Sequence, residues 1–224
     1  MIQKPHKFFD KYLDNDLNRL SKFLLKQYDK IQNKEIDGIT PLDKQKDYWV
    51  ESGSLSTIKW NEYNVFQFYN NEIYNLFYGL RSVVKEACDY YEINYDEQKY
   101  MVQGWFNINY NTVGKLDWHD HGPTYEEKLT KNNSGNYSLK QYMNFHGYYC
   151  VSAEPSVTHY LIDNEKPFEN VNKNNRLILS QMGHPHAMSN WEWDGPRITI
   201  AYDVASLYTL ENDDKQPQQH WIPL

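Results

Sequence analysis

Two short runs, "LDWHDHG" at Leu116–Gly122 and "GHPHAM" at Gly183–Met188, each carry a pair of histidines two residues apart. On an extended strand residues two apart share a face, so His119 and His121 can point together into a barrel, with Asp117 on their parity and Trp118 and Asp120 on the other. His184 and His186 form a second such pair. Two imidazole pairs brought together across a sandwich are what a mononuclear transition-metal site needs. Imidazole suits Zn, Fe, Cu or Ni, so geometry and open positions choose the metal. With eight histidines in the chain, several are incidental. His6 and His220 sit in polar terminal segments and read that way, and His159 in "VTHYLI" either lines a pocket or fills a strand face.

The elements that must position these residues follow from composition and periodicity. A chain of 224 residues that is 40% hydrophobic supports one sizeable core, and the 16% aromatic share, with 20 tyrosines, favours half-buried β surfaces. "FFDKYLDNDLNRLSKFLLKQYDKI", from Phe8 to about Ile31, spaces Leu13, Leu17, Leu20, Phe23, Leu24 and Tyr28 by threes and fours, which predicts an amphipathic helix. "NEIYNLFYGLRSVVKEACDYY" predicts a second through Ile73, Leu76, Phe77, Leu80, Val84, Ala87 and Cys88. After Tyr100 the texture changes to short runs, "MVQGWFNINY", "MNFHGYYCV", "VTHYLI", "RLILSQM" and "RITIAYDV", separated by Asn, Gly, Asp and Pro. These read as strands of a sandwich or barrel. The fold class is therefore α+β, mainly β, with N-terminal helices buttressing a sheet pair. "EEKLTKNNSGNY", Glu126 to Tyr137, is polar enough to be a flexible loop over the rim. A single domain over 1–224 is expected, with helical support over 1–99, a β core over 100–205 and a C-terminal tail over 206–224.

A net charge of −7 and a pI near 5.6 count against nucleic acid or an anionic membrane as partners. Cys88 and Cys150 have no metal-type spacing and read as buried thiols in a reducing compartment. The charged N-terminus lacks an apolar targeting segment, so a cytoplasmic location is expected.

Read together, the two histidine runs and their surroundings resemble the Fe(II) and 2-oxoglutarate-dependent oxygenases. Within these, the chain is most similar to the prolyl-hydroxylase-like branch and to the 2OG-Fe(II) oxygenases of bacteria and marine phages. The resemblance covers about Trp105 to Val204. "YNTVGKLDWHDH" is similar to the family pattern of a strand tyrosine, a glycine and then His-x-Asp, with Tyr110, Gly114 and His119 at the matching offsets. "WFNINY" resembles the group's Trp-x-Asn opening, and "HGYYCV" its Gly-x-Tyr-Tyr strand. "LILSQMGHPHAMSNWEWDGPRITIAYDV" resembles the closing segment, where an Arg-x-Ser/Thr follows the distal histidine by about eleven residues. His186 to Arg197 fits that interval, which makes His184 either a residue supporting a ligand from behind or a rim residue. The resemblance implies a double-stranded β-helix, or jelly roll, using Fe(II), 2-oxoglutarate as co-substrate and dioxygen. If the chain is phage-encoded, the implied location is the host cytoplasm.

The chemistry of such a site is plain without the family. Three protein ligands on one face of an Fe(II) octahedron leave two positions for a chelating 2-oxo acid and one for dioxygen. The co-substrate's far carboxylate needs a cation and a hydroxyl, which Arg197 and Thr199, on one strand face, can supply. Tyr110 is the third polar contact by resemblance. Asn107 either contacts co-substrate or substrate or holds a strand edge. Of Tyr148 and Tyr149, one at most lines the pocket, and Trp191 and Trp193 either cap the entrance or form a hydrophobic turn. The chain departs from the family at position 121, where the carboxylate of His-x-Asp would fall and histidine stands. The metal ligands then read as His119, His121 and His186, unless a bulge turns Asp120 inward. Three readings compete: a 2-oxoglutarate oxygenase acting on a peptide or small molecule, a three-histidine metal enzyme without 2-oxoglutarate, and a catalytically silent metal-binding jelly roll.

Overall fold

The computed structural model describes residues 4–32, 54–57, 64–110, 118–122, 124–131, 134–162, 166–211 and 221–224. Gly114, Asp117 and His220 lie outside the described residues. In chain order the elements are strand β1 (Phe9–Tyr12), helix α1 (Leu17–Gln32), strand β2 (Ser54–Ser56), a 3-10 turn (Val65–Gln67), helix α2 (Asn71–Tyr91) and the one-turn helix α3 (Tyr95–Gln98). Strands β3 (Tyr100–Asn109), β4 (Tyr125–Lys131), β5 (Tyr137–Met143), β6 (Phe145–Ser152) and β7 (Val157–Tyr160) follow. The rest comprises β8 (Phe168–Val171), β9 (Arg176–Gln181), β10 (His186–Met188), β11 (Arg197–Ser206), helix α4 (Leu207–Glu211) and β12 (Ile222–Pro223).

The main sheet runs β1-β9-β6-β11-β3-β12, with β2 also on β3, and a smaller sheet runs β10-β7-β8. Every pairing is antiparallel. Alternation divides the main sheet into two buried faces, which is why its central strands read as nearly continuous apolar runs. One face carries Phe106, Ile108, Phe145, Tyr149, Leu177, Leu179, Ile198, Ile200 and Val204, and it packs on Leu20 and Leu24 of α1 and Leu76 and Leu80 of α2. Fully burying each such side chain contributes roughly 1.5–3 kcal/mol. The other face forms a second cluster of Tyr148, Cys150 and Ile178 with Tyr160 of the small sheet, joined by Phe8. The architecture is a β-sandwich backed by helices.

Two expectations are corrected. The predicted first helix from Phe8 begins only at Leu17; its leading residues instead form β1, paired with β9 from Phe9↔Leu179 to Tyr12↔Arg176. Asp16 is the reason: its carboxylate accepts the Arg19 amide at 3.0 Å and caps α1 there. The predicted rim loop from Glu126 to Tyr137 is mostly strand. β4 and β5 pair in register through Leu129↔Leu139, and Gly135 at φ +83 serves the turn. This hairpin outside both main sheets leaves Leu129, Leu139 and Tyr137 exposed on one face, while on the other Tyr142 stacks on Tyr208 of α4 at 4.4 Å. The second helix matches its expected span, capped by the Asn70 side chain on the Glu72 and Ile73 amides and ended at Glu92 in the left-handed region, φ 58.

Gly147 in β6 is required by close approach. A methyl there would lie 2.0 Å from the Ile178 carbonyl oxygen and 2.8 Å from the Tyr202 ring, whose hydroxyl donates to that same carbonyl at 2.7 Å. Gly147→Ala should cost about 3 kcal/mol or more, since a β6–β9 pairing must open. Urea unfolding measures it, and a loss below 1 kcal/mol would show that the strands part freely. Among the described residues, no helix is long and apolar enough to cross a membrane.

Candidate metal centre

The interior face of the main sheet is built in tiers fixed by strand register. Ser180 of β9, His146 of β6, Asp203 of β11 and Gln103 of β3 lie side by side across four strands, an all-polar row. Two residues further along each strand come Ile178, Tyr148, Ala201 and Trp105. Beyond these lie Cys150, Thr199 and Asn107, and then Arg197 opposite Asn109. One end of the sandwich is therefore polar, its middle aromatic with the small Ala201, and its far end cationic.

Above the polar row sit the histidines. The His119 and His186 backbones exchange two hydrogen bonds, 3.1 and 2.9 Å, in an isolated bridge that adds His119 to the edge of the small sheet. The two loops are also tied by Thr124, whose hydroxyl donates to the Met182 carbonyl at 2.6 Å. Gly183 allows this: at φ +87, its missing Cβ would stand 2.6 Å from the Thr124 Oγ1. As a result one ring nitrogen from each of His119, His121 and His186 lies within 4.8 Å of the others, and the three could hold a metal ion. The tautomers are set from behind. His121 Nδ1 lies 2.6 Å from Asp203 Oδ1, and His186 Nδ1 lies 3.2 Å from its own loop's His184 carbonyl, so in both rings Nε2 is the nitrogen left to coordinate. Trp105 stacks on His121 at 5.5 Å and Tyr160 on His186 at 5.3 Å.

The electrostatics follow from this packing. Burial pushes the His121 ring towards neutrality, but the Asp203 carboxylate, by charge and hydrogen bond, with Asp120 adding to it, carries its pKa above the ordinary histidine value. His186 has no such partner; burial, then the His121 and His119 rings, take it down to about 3. His146 is pushed well below the usual value, first by burial and then by His186 and His121. At the far end Arg197 is 4% exposed and donates from Nε to Ser156 Oγ at 3.0 Å. Among the described residues it has no carboxylate within ion-pairing distance, and burial lowers its pKa.

No protein-family model matches this chain, and no curated protein matches it in sequence. Among solved structures it is similar to the crystal structure of HygX from Streptomyces hygroscopicus with iron bound, at 10% identity and a TM-score of 0.36, over 74% of this chain and 86% of that one. That likeness is too distant to carry chemistry across.

The structure brings His119, His121 and His186 together and leaves Asp120 outside, exposed, with its Oδ1 accepting the Gly122 amide at 3.3 Å. Arg197 and Thr199 share the interior face, and Asn107, in a strand flanked on both sides, donates from Nδ2 to Thr199 Oγ1 at 3.5 Å. Tyr110 is elsewhere: it packs on the helix-facing cluster, 6.5 Å ring to ring from Tyr28 of α1. His159 and Trp193 line an open groove of about 700 Å³, and His159 pairs with Glu169 at 4.0 Å. Trp191 is buried and donates to the Gly195 carbonyl at 2.9 Å, which makes "SNWEWDG" a closed turn. His6, expected to be incidental and outside the three-histidine set, lies 3.0 Å from Ser180 Oγ and packs edge-on against His184 at 4.6 Å. Two residues of the site escaped sequence reasoning, Asp203 and His146. The signal for both was strand parity, Asp203 with Arg197 and Thr199, and His146 with Tyr148.

Proposed function

We propose that the protein is a non-haem Fe(II) oxygenase that uses 2-oxoglutarate as co-substrate and hydroxylates a peptide or small molecule, its sandwich serving as a double-stranded β-helix. The observation that carries this reading is Arg197, a buried guanidinium without a carboxylate partner among the described residues, facing the same interior as the three histidines. A buried charge is kept where something pairs with it. Ser156, to which Arg197 is pinned, and Tyr160, which stacks on His186, belong to one short run of chain that joins the cationic end to the histidines.

The chain's own residues have distinct tasks. His119, His121 and His186 would hold the metal on one face and leave positions open on the other. Arg197 and Thr199 would take the far carboxylate, the first by paired N–H donors and the second by its hydroxyl. Trp105, Tyr148 and Tyr160 wall the middle tier and exclude water. When bound, Fe(II), 2-oxoglutarate and dioxygen supply the oxidising chemistry, with the oxo acid converted to succinate and carbon dioxide.

Arg197→Gln should weaken 2-oxoglutarate binding about 10- to 100-fold, the share of a charge-assisted hydrogen-bond pair, with Fe(II) affinity nearly unchanged. The titration is made anaerobically on Fe(II)-loaded protein, following the visible charge-transfer band of the chelate. An affinity indifferent to the substitution sinks the assignment.

A further inference from the structure

His146 plays no part in the three-histidine set, yet it is the most enclosed imidazole of the group. It is 2% exposed, and its Nε2 has no hydrogen-bond partner. Its ring centre lies 4.6 Å from that of His186 and 5.3 Å from that of His121, and Tyr160 closes a third side at 5.7 Å. In β6 it stands directly between Ser180 and Asp203 of the neighbouring strands. An apolar side chain of similar size would fill this place without leaving a polar atom unsatisfied, and orphaned buried donors and acceptors are uncommon because each forfeits its bonds to water. Among the orphaned polar atoms of the described residues, this one stands beside two of the three histidines that could hold a metal, where a ligand on that metal would satisfy it.

The ring flanks two of the three coordinating histidines. Nitrogens that share one ion lie about 2.0–2.1 Å from it and therefore crowd one another closely. A ring beside only two of them is placed to touch what the metal carries. We propose that His146 Nε2 hydrogen-bonds the exchangeable ligand, water or a small anion such as a carboxylate oxygen, that a metal held by His119, His121 and His186 carries on its side facing β6. The inference rests on the metal-binding reading above. It makes His146 a ligand-contacting residue that would bias which exchangeable position an incoming anion takes.

The test uses the full-length chain loaded with Co(II), whose visible bands report coordination, and azide as the anion. His146→Leu should leave Co(II) affinity within about threefold of the parent and weaken azide binding by about tenfold, the worth of one hydrogen bond. His146→Gln, which restores an N–H donor, should recover most of that loss. With the orphan removed, the metal-free His146→Leu protein should melt at a Tm roughly 2–4 °C above the parent. A collapse of Co(II) affinity in His146→Leu overturns the proposal by making His146 a metal ligand. Azide affinity equal in parent and variant overturns it too, whichever way the Tm moves. If the parent itself takes up no Co(II), the metal centre as a whole is wrong and the role of His146 goes with it.

Discussion

His186→Ala should lower Fe(II) affinity by a factor on the order of 100 or more, whereas His184→Ala should leave it within about threefold. The two residues are close in one turn, and their difference lies in which group each turns to the site. The His186 ring sits 4.5 Å from that of His119 and 5.0 Å from that of His121, with Nδ1 occupied and Nε2 directed inward. His184 contributes its backbone carbonyl to that arrangement, and its ring packs against His6. Alanine at 184 keeps the carbonyl, so the His186 tautomer survives. Equilibrium titration of Fe(II) under anaerobic conditions reads both variants. A reversed order would move the centre two residues along the chain and break its link to Arg197.

Local pattern made much of this legible, and the exceptions have identifiable causes. The span of α2 was readable because Asn70 caps a long stripe of apolar residues. The start of α1 was misread because Leu13 continues the helical spacing while Asp16, a capping residue, interrupts it. Leu13 is in fact partly buried against the main cluster from outside the helix. The histidine pairs could be found from their two-residue repeat, although His119 and His121 owe their meeting to a bridge and a tight loop more than to a regular strand. Asp203 and His146 share strand parity with Arg197 and Tyr148, respectively, which places them on the interior face but does not say that they meet. They meet only through antiparallel pairing of β11 with β6, a register no local window contains. The misplacement of Tyr110 has a different origin: its offset from His119 says nothing of which side of the sheet it takes, whereas its parity with Phe106 and Ile108 puts it on the helix-facing side.

The carboxylate absent from position 121 is where that register matters most. Three neutral imidazoles around Fe(II) leave the centre one positive charge above the common two-histidine, one-carboxylate set. With iron bound there, Asp203, 2.6 Å from His121 Nδ1, would restore the balance from behind, supplying the charge without being a ligand. Five single substitutions and one double variant separate this from the alternative in which Asp120 coordinates. Asp120→Asn should leave Fe(II) affinity near that of the parent, because its side chain is spent on the Gly122 amide at the surface. Asp203→Asn, which keeps an acceptor but loses the charge, should cost about tenfold, and Asp203→Leu about 100-fold, the range for removing the group that orients a ligating histidine. His121→Ala should cost more than either. His121→Asp is the discriminating variant: with Asp203 behind it, two carboxylates crowd one position, so it should bind Fe(II) less well than the double variant His121→Asp/Asp203→Asn, in which the charge has moved from 203 to 121. Metal stoichiometry and succinate formed per iron read all of them. Loss of iron in Asp120→Asn with none in Asp203→Leu would transfer the carboxylate's role to Asp120 and dismantle this account of the centre.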